Sequence, residues 1–378
     1  MGTISRRRFL VATVGLAALA GCSSQADPGQ GSDDQGSTPT DTATEGPSTD
    51  TATDGSTAVP TAAETLPLPM SPADLREAAR SGGPPKDGIP SIDSPSFTSP
   101  GDVDFLTAGD PVFGVVRNGE AKAYPQKILA QHEIVNDELA GDPVSVTYCP
   151  LTGTVQGFER GDTTFGVSGR LINNNLVMYD RGTEAWWPQI LATAIPGQWN
   201  EAPGIASLRE FRLVWTTWER WRTHRPATGV LTTDTGFAKN YGRDPYGQYN
   251  PRAGYYEDDS LLFPALSEDD TYARKRVVMG ARTPDGAAAF LKDAVREKSV
   301  MEGRLGDTPM VAVADDRLDT GYGYLNPAGA TVARSDDGTV LVDGEAHPPE
   351  ALPLRRVHTF DAMWFAWVGY YPDTNVYE

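Results

Sequence analysis

After Asp104 the chain alternates short apolar runs with Gly, Pro, Asn and Asp, and few of these runs are long enough for an extended helix. VFGVVRNGEAKAYP, HEIVNDELAGDPVSVTYCP and TVQGFERGDTTFGVSG each read as a β-hairpin, a β-rich run bounded by turn formers. Asn118 and Gly119 lie between two such runs and predict a two-residue turn, because both residue types tolerate the positive φ that such a turn requires. Gln126 to Ala130 predicts one short helical turn, and PPKDGIPSIDSP ahead of the first hairpin predicts extended chain. Longer helices are predicted in the Ser207 to Arg222 region and over Gly286 to Lys298. The fold class is therefore mainly β (α+β), a compact body with a few helices.

A second reading of the same pattern finds an internal echo. VFGVVRNGEAKAY from Val112 recurs as VMGARTPDGAAAF from Val278, and LAGDPVSVTY from Leu139 as LGDTPMVAVAD from Leu305. Trp215, Trp218, Pro226, Thr228 and Val230 recur as Trp364, Trp367, Pro372, Thr374 and Val376. These matches predict two degenerate tandem repeats, about 97–235 and 266–378, joined by a Tyr- and Gly-rich segment at 236–265. The second copy has Asp315 and Asp316 where the first has Tyr148, Cys149 and Pro150, and His132 has no counterpart, so a functional site is expected in the first copy.

The start of the chain has another character. MGTISRRRFLVATVGLAALAGC combines a basic beginning with an apolar stretch from Phe9 to Ala20 that is too short to span a bilayer. Arg6 and Arg7 resemble a twin-arginine export signal, and Leu19 to Cys22 resemble a lipobox, which implies lipidation at Cys22. Two acyl chains, at about 0.8 kcal/mol per buried methylene, would hold such a protein firmly on the outer face of the cell membrane. From residue 23 to 65 the chain is nearly all Ser, Thr, Asp, Gly, Pro and Ala, too poor in large apolar groups to offset the entropy of ordering. Residues 1–22 are thus expected to be a signal, 23–65 a disordered tether and 66–378 the folded domain.

Composition narrows the function classes. Asp and Glu total 51 against 32 Lys and Arg, a formal net charge of -19, and only seven of the basic residues are lysines. A dispersed acidic excess with arginine preferred to lysine fits a halophilic protein in concentrated brine and argues against nucleic acid as a partner. With Cys22 assigned to the anchor, Cys149 has no disulfide partner, and an unpaired extracellular thiol must be buried, ligated or chemically used. No phosphate-binding Gly-rich loop, Gly-x-Ser-x-Gly elbow or His-Glu-x-x-His motif occurs.

The densest set of unusual residues runs from His132 to Arg181. Cys149, His132 and Met178 form a soft set of candidate metal ligands that would suit copper, if HEIVND and VSVTYC are paired strands. Alternatively Cys149 is a nucleophile with His132 as base, oriented by Glu133, Asn136 or Asp180 and acting on a small carbonyl or ester compound. The third alternative is an inert, packed Cys149. Asn173, Asn174, Arg181 and Tyr148 are candidate ligand contacts, although Asn173 to Asn175 equally predict a turn, with Asp180 and Arg181 a structural pair. Trp215, Trp218 and Trp221 read as a core stripe of one helix, Tyr241 to Tyr256 as a binding loop or a packed cover, and His224, His347 and His358 as residues without metal-ligand spacing.

Read together, AYP at Ala123, HEIVND at His132, VTYCPLTGT at Val146, the Gly169 to Arg181 segment, LLFP at Leu261 and WFAW at Trp364 resemble, in order, the exported proteins grouped as domain-of-unknown-function family 3179. That resemblance implies no established activity and carries over no catalytic residue. Relatives with a Cys-Pro-Leu-Cys arrangement differ from this chain, which has Thr152 at the second position, and the difference weakens a dithiol redox role. The resulting expectation is a membrane-anchored extracellular lipoprotein, binding a soft metal ion or acting in redox through Cys149 and His132. The alternatives are a thiol-dependent enzyme and a non-catalytic surface-binding module.

Overall fold

The computed structural model describes residues 58–378; the expected signal, Cys22 and most of the expected tether lie outside the described residues. The first hairpin forms where the apolar pattern places it. Strand β1 (Pro111–Arg117) turns at Asn118 and Gly119, whose φ values of 48° and 87° are those of a two-residue hairpin turn, into β2 (Glu120–Pro125). Helix α1 (Gln126–His132) follows at once and ends at Glu133, whose φ of 61° redirects the chain into β3 (Ile134–Leu139). Strand β4 (Asp142–Cys149) pairs antiparallel with β3, Ile134 opposite Thr147, and β5 (Thr154–Glu159) pairs with β4.

An excursion then adds β6 (Phe165–Ile172), β7 (Asn175–Asp180) and β8 (Trp186–Pro188). The chain returns as β9 (Glu210–Phe211), β10 (Val214–Thr217), α2 (Trp218–His224) and β11 (Gly229–Leu231). Sheet order is β10-β1-β2-β11 with the strand Phe97–Thr98 at its end, and β3-β4-β5-β9. A third sheet contains β6, β7 and β8 with the strand Arg80–Ser81.

The second half opens with β12 (Val277–Thr283), β13 (Gly286–Leu291) and α3 (Lys292–Lys298). It continues with β14 (Val300–Leu305), β15 (Thr308–Asp315) and β16 (Thr320–Leu325), then β17 (Arg355–Val357), β18 (Thr359–Met363), α4 (Trp364–Tyr370) and β19 (Asn375–Tyr377). Two of its sheets run β18-β12-β13-β19 and β14-β15-β16-β17, with β19 parallel to β13 as β11 is parallel to β2. The protein is mainly β and compact, and one apolar cluster mixes Ile172, Val177 and Ile190 with Val278, Phe360 and Trp367, so the two halves share a core.

Each half is closed by a tryptophan that needs a bare backbone opposite it. A β-carbon at Gly114 would collide with the Trp221 ring, and one at Gly280 with Trp367. The indole N–H of each donates 3.0 Å to a threonine seven residues on, Thr228 or Thr374.

Two predicted helices form over only part of their predicted length. Gly286 to Leu291 pairs with β12 and only Lys292–Lys298 is helical, because hairpin pairing outweighs the helix preference of the alanines. In the Ser207 to Arg222 region the helix is confined to Trp218–His224, capped by the Thr217 hydroxyl, while Trp215 lies on β10. All three tryptophans are buried, in keeping with a core role. The ordered chain also begins before residue 66: Val59 is buried, Thr61 bridges Leu208, and Ala62 donates to Ser207.

Candidate functional site

Pairing β3 with β4 brings His132 and Cys149 to the same end of one hairpin, yet their side chains enter different surroundings. His132 Nδ1 lies 2.7 Å from the Pro90 carbonyl, which can only accept, so this nitrogen carries the proton. The Tyr241 hydroxyl, 2.6 Å away, then donates to Nε2. Burial holds the imidazole below its ordinary pKa, so it is neutral with both nitrogens occupied, and no lone pair remains for a thiol or a metal.

Cys149 is 1% exposed within a cluster that includes Ile134, Leu176 and Met178. Its thiol donates to the Asn174 carbonyl and accepts from Leu176 N, each at 3.4 Å. Burial, reinforced by the neighbouring Glu133, pushes the thiol up to about 11, the opposite of what a nucleophile requires. Glu133 is itself buried, and that burial pushes its carboxyl up to about 8.

The other predicted residues hold the fold together. Asn173 and Asn174 form the turn between β6 and β7 at φ values of 53° and 59°. The Asn173 side chain bridges Leu266 N and the Ala366 carbonyl, and that of Asn174 bridges Phe263 N and the Phe263 carbonyl. Asn175 binds Ile190 N and Gln189, and Asn136 ties Ser145 to the Phe165 backbone. Asp180 accepts from Thr183 and from the Trp187 indole, while Arg181 pairs with Asp87 and Asp93, so these two neighbours are not a pair with each other. Tyr148 is sealed in a network with Gln126 and Tyr256, which also engages Asp244. In the Tyr241 to Tyr256 segment Tyr249 packs against Trp215, 4.5 Å between ring centres, while residues between Gly242 and Asn250 also line a cavity of about 300 Å³. Among the described residues no group of three or more His, Cys, Asp or Glu is placed to hold a metal ion, and no helix is long and apolar enough to cross a membrane.

A different place gathers unsatisfied charge. Strands β9 and β17 are the outer strands of two sheets from the two halves, and beside them lie a cavity of about 420 Å³ and another of about 330 Å³. The cavities share Glu210, Arg356, Val357 and His358. Seven arginines line the two together, at 117, 209, 212, 225, 282, 355 and 356, against three carboxylates, Glu64, Glu210 and Glu350.

Two of these arginines cross between the halves in opposite directions. Arg212 donates to Thr359 and to Thr320 Oγ1, 2.8 Å away, leaving its Nε unpartnered. Arg282, 3% exposed, donates to Glu210 at 2.7 Å and to the Ile190 carbonyl at 2.8 Å, leaving Nε and Nη1 unpartnered. Among the described residues Arg212, Arg225, Arg355 and Arg356 have no carboxylate partner, and Glu350 is engaged by Arg317. His358 donates to or accepts from Gln156 at 2.9 Å; burial, with Arg282, Arg212 and Arg356 nearby, pushes it down to about 4. It therefore adds no positive charge at neutral pH, and the cleft's positive charge is that of its guanidinium groups.

Sequence reasoning missed this cleft because its walls come from residues about 145 apart, such as Arg212 and Arg356. The available signal was the basic pairing in REFR at Arg209 and LRRVH at Leu354, within a chain of net charge -19.

No curated protein and no solved structure matches the chain. One family, described as "Protein of unknown function (DUF3179)", matches residues 86–374. That span includes β1 through α4, both walls of the arginine cleft and all the ordered motifs from AYP to WFAW; the chain belongs to the DUF3179 family.

Proposed function

We propose that the protein is an exported, lipid-anchored binding module that holds a small organic anion in the cleft between β9 and β17. The observation that carries this reading is the surplus of arginines lacking a carboxylate partner around cavities of about 420 and 330 Å³, in a chain that is otherwise strongly acidic. Cavities of this size suit a small molecule, and guanidinium groups favour carboxylate or phosphate oxygens through paired, charge-assisted hydrogen bonds. Twin-arginine export, acylation of Cys22 and the tether would present the cleft outside the cell. Thiol or soft-metal chemistry at Cys149 gains nothing from a sealed sulfur and an occupied imidazole.

The cleft lies between two halves that we read as copies of one unit. Support comes from the matched sheet orders, the parallel closing strands and the matched Gly–Trp–Thr sets. In this reading Trp218 and Trp364, which head their helices, correspond, as do Trp221 and Trp367, a register three residues from the one the motifs first suggest.

Calorimetric titration of the purified chain with mono- and polycarboxylates and with phosphate, at fixed ionic strength, tests the binding reading. Saturable binding that falls by about tenfold in Arg356→Gln is expected, the loss of one charge-assisted contact. The absence of any saturable anion would overturn it.

A further inference from the structure

Resting on the anion-binding reading, we infer that the ligand carries two separate anionic groups, one for each cavity. The cavities share a wall at Glu210 and His358, and each has its own unmatched guanidinium groups. On one side are Arg212 and Arg225, each with a buried Nε that has no partner among the described residues. On the other is the exposed Arg355, beside the deeply buried Arg282, whose charge is paired with Glu210 while its Nε and Nη1 lack partners among the described residues.

Arg356 lines both cavities, so positive charge is continuous between the two ends while Glu210 marks the middle. A single small anion placed at one end leaves the guanidinium groups of the other unmatched, and the Glu210 carboxylate on the shared wall is already paired with Arg282. A linear compound with an anionic group at each end matches both sets at once. Its second contact then forms within the complex and costs little further loss of freedom. The shared chemistry is a terminal pair of carboxylates or phosphate-like groups.

Two homologous series distinguish these sources: straight-chain α,ω-dicarboxylates and α,ω-bisphosphonates of increasing length, each compared with its one-headed counterpart. In at least one series a two-headed compound of optimal length should bind about tenfold or more tighter than the one-headed compound. Arg225→Gln and Arg355→Gln, on opposite cavities and outside the buried core, should each reduce that compound to the affinity of its one-headed counterpart. Equal affinity of one- and two-headed compounds, or a two-headed preference that either variant leaves intact, overturns the inference while the anion-binding reading stands. If no compound of either series binds, both fall.

Discussion

At the scale of single residues, the hairpin end that carries the richest motif of the sequence is buried and hydrogen-bonded within the fold. Glu133 shows the consequence most directly. Its carboxyl is pushed up to about 8 from an ordinary value of 4.5, so the folded protein holds a proton that the unfolded chain has largely released at neutral pH. The stability this confers is complete below pH 4.5 and erodes as pH rises to about 8. Glu133→Gln keeps the neutral shape without the titration. Its Tm should fall less than that of the parent chain across that window, and parallel Tm–pH curves would exclude the assignment. The sequence displayed the residues of this region but not their burial. A histidine with a carbonyl and a phenol in reach is indistinguishable, as a letter, from one awaiting a metal.

Among elements, what was legible followed local rules. The Asn118–Gly119 turn, the β3–β4 pairing and the short helix after β2 all form where the pattern puts them, because turn chemistry and alternation act over a few residues. Within Gly286 to Lys298 the predicted helix starts too early: Lys292–Lys298 is helical, but Gly286–Leu291 is strand, because alanines suit a helix until a partner strand is present, and that partner is set by tertiary structure. The tryptophans at spacings of three imitate a helical face although the first lies on a strand. The Gly114–Trp221 and Gly280–Trp367 contacts give a test at this scale. Gly114→Ala and Gly280→Ala should each destabilise by about 1–3 kcal/mol, the cost of overpacking a ring that cannot retreat, as measured by denaturant midpoint at unchanged m. A change within about 0.5 kcal/mol for both would show that the indoles have room to move.

For the whole molecule, the ordered motifs sufficed to place the chain in its family, while the arginine cleft stayed hidden because it exists only once the two halves meet. Anchoring is a property of this scale as well. Mass spectrometry of the mature protein from its native membrane should find a chain beginning at a diacylated Cys22; an unmodified N-terminus elsewhere would remove the anchor from the proposal. The crossing of Arg212 into the second half and Arg282 into the first has a mechanical corollary. Proteolytic nicking in the exposed stretch at Gly236–Asn240 would yield two fragments that still migrate together as one particle, since each keeps a hand inside the other.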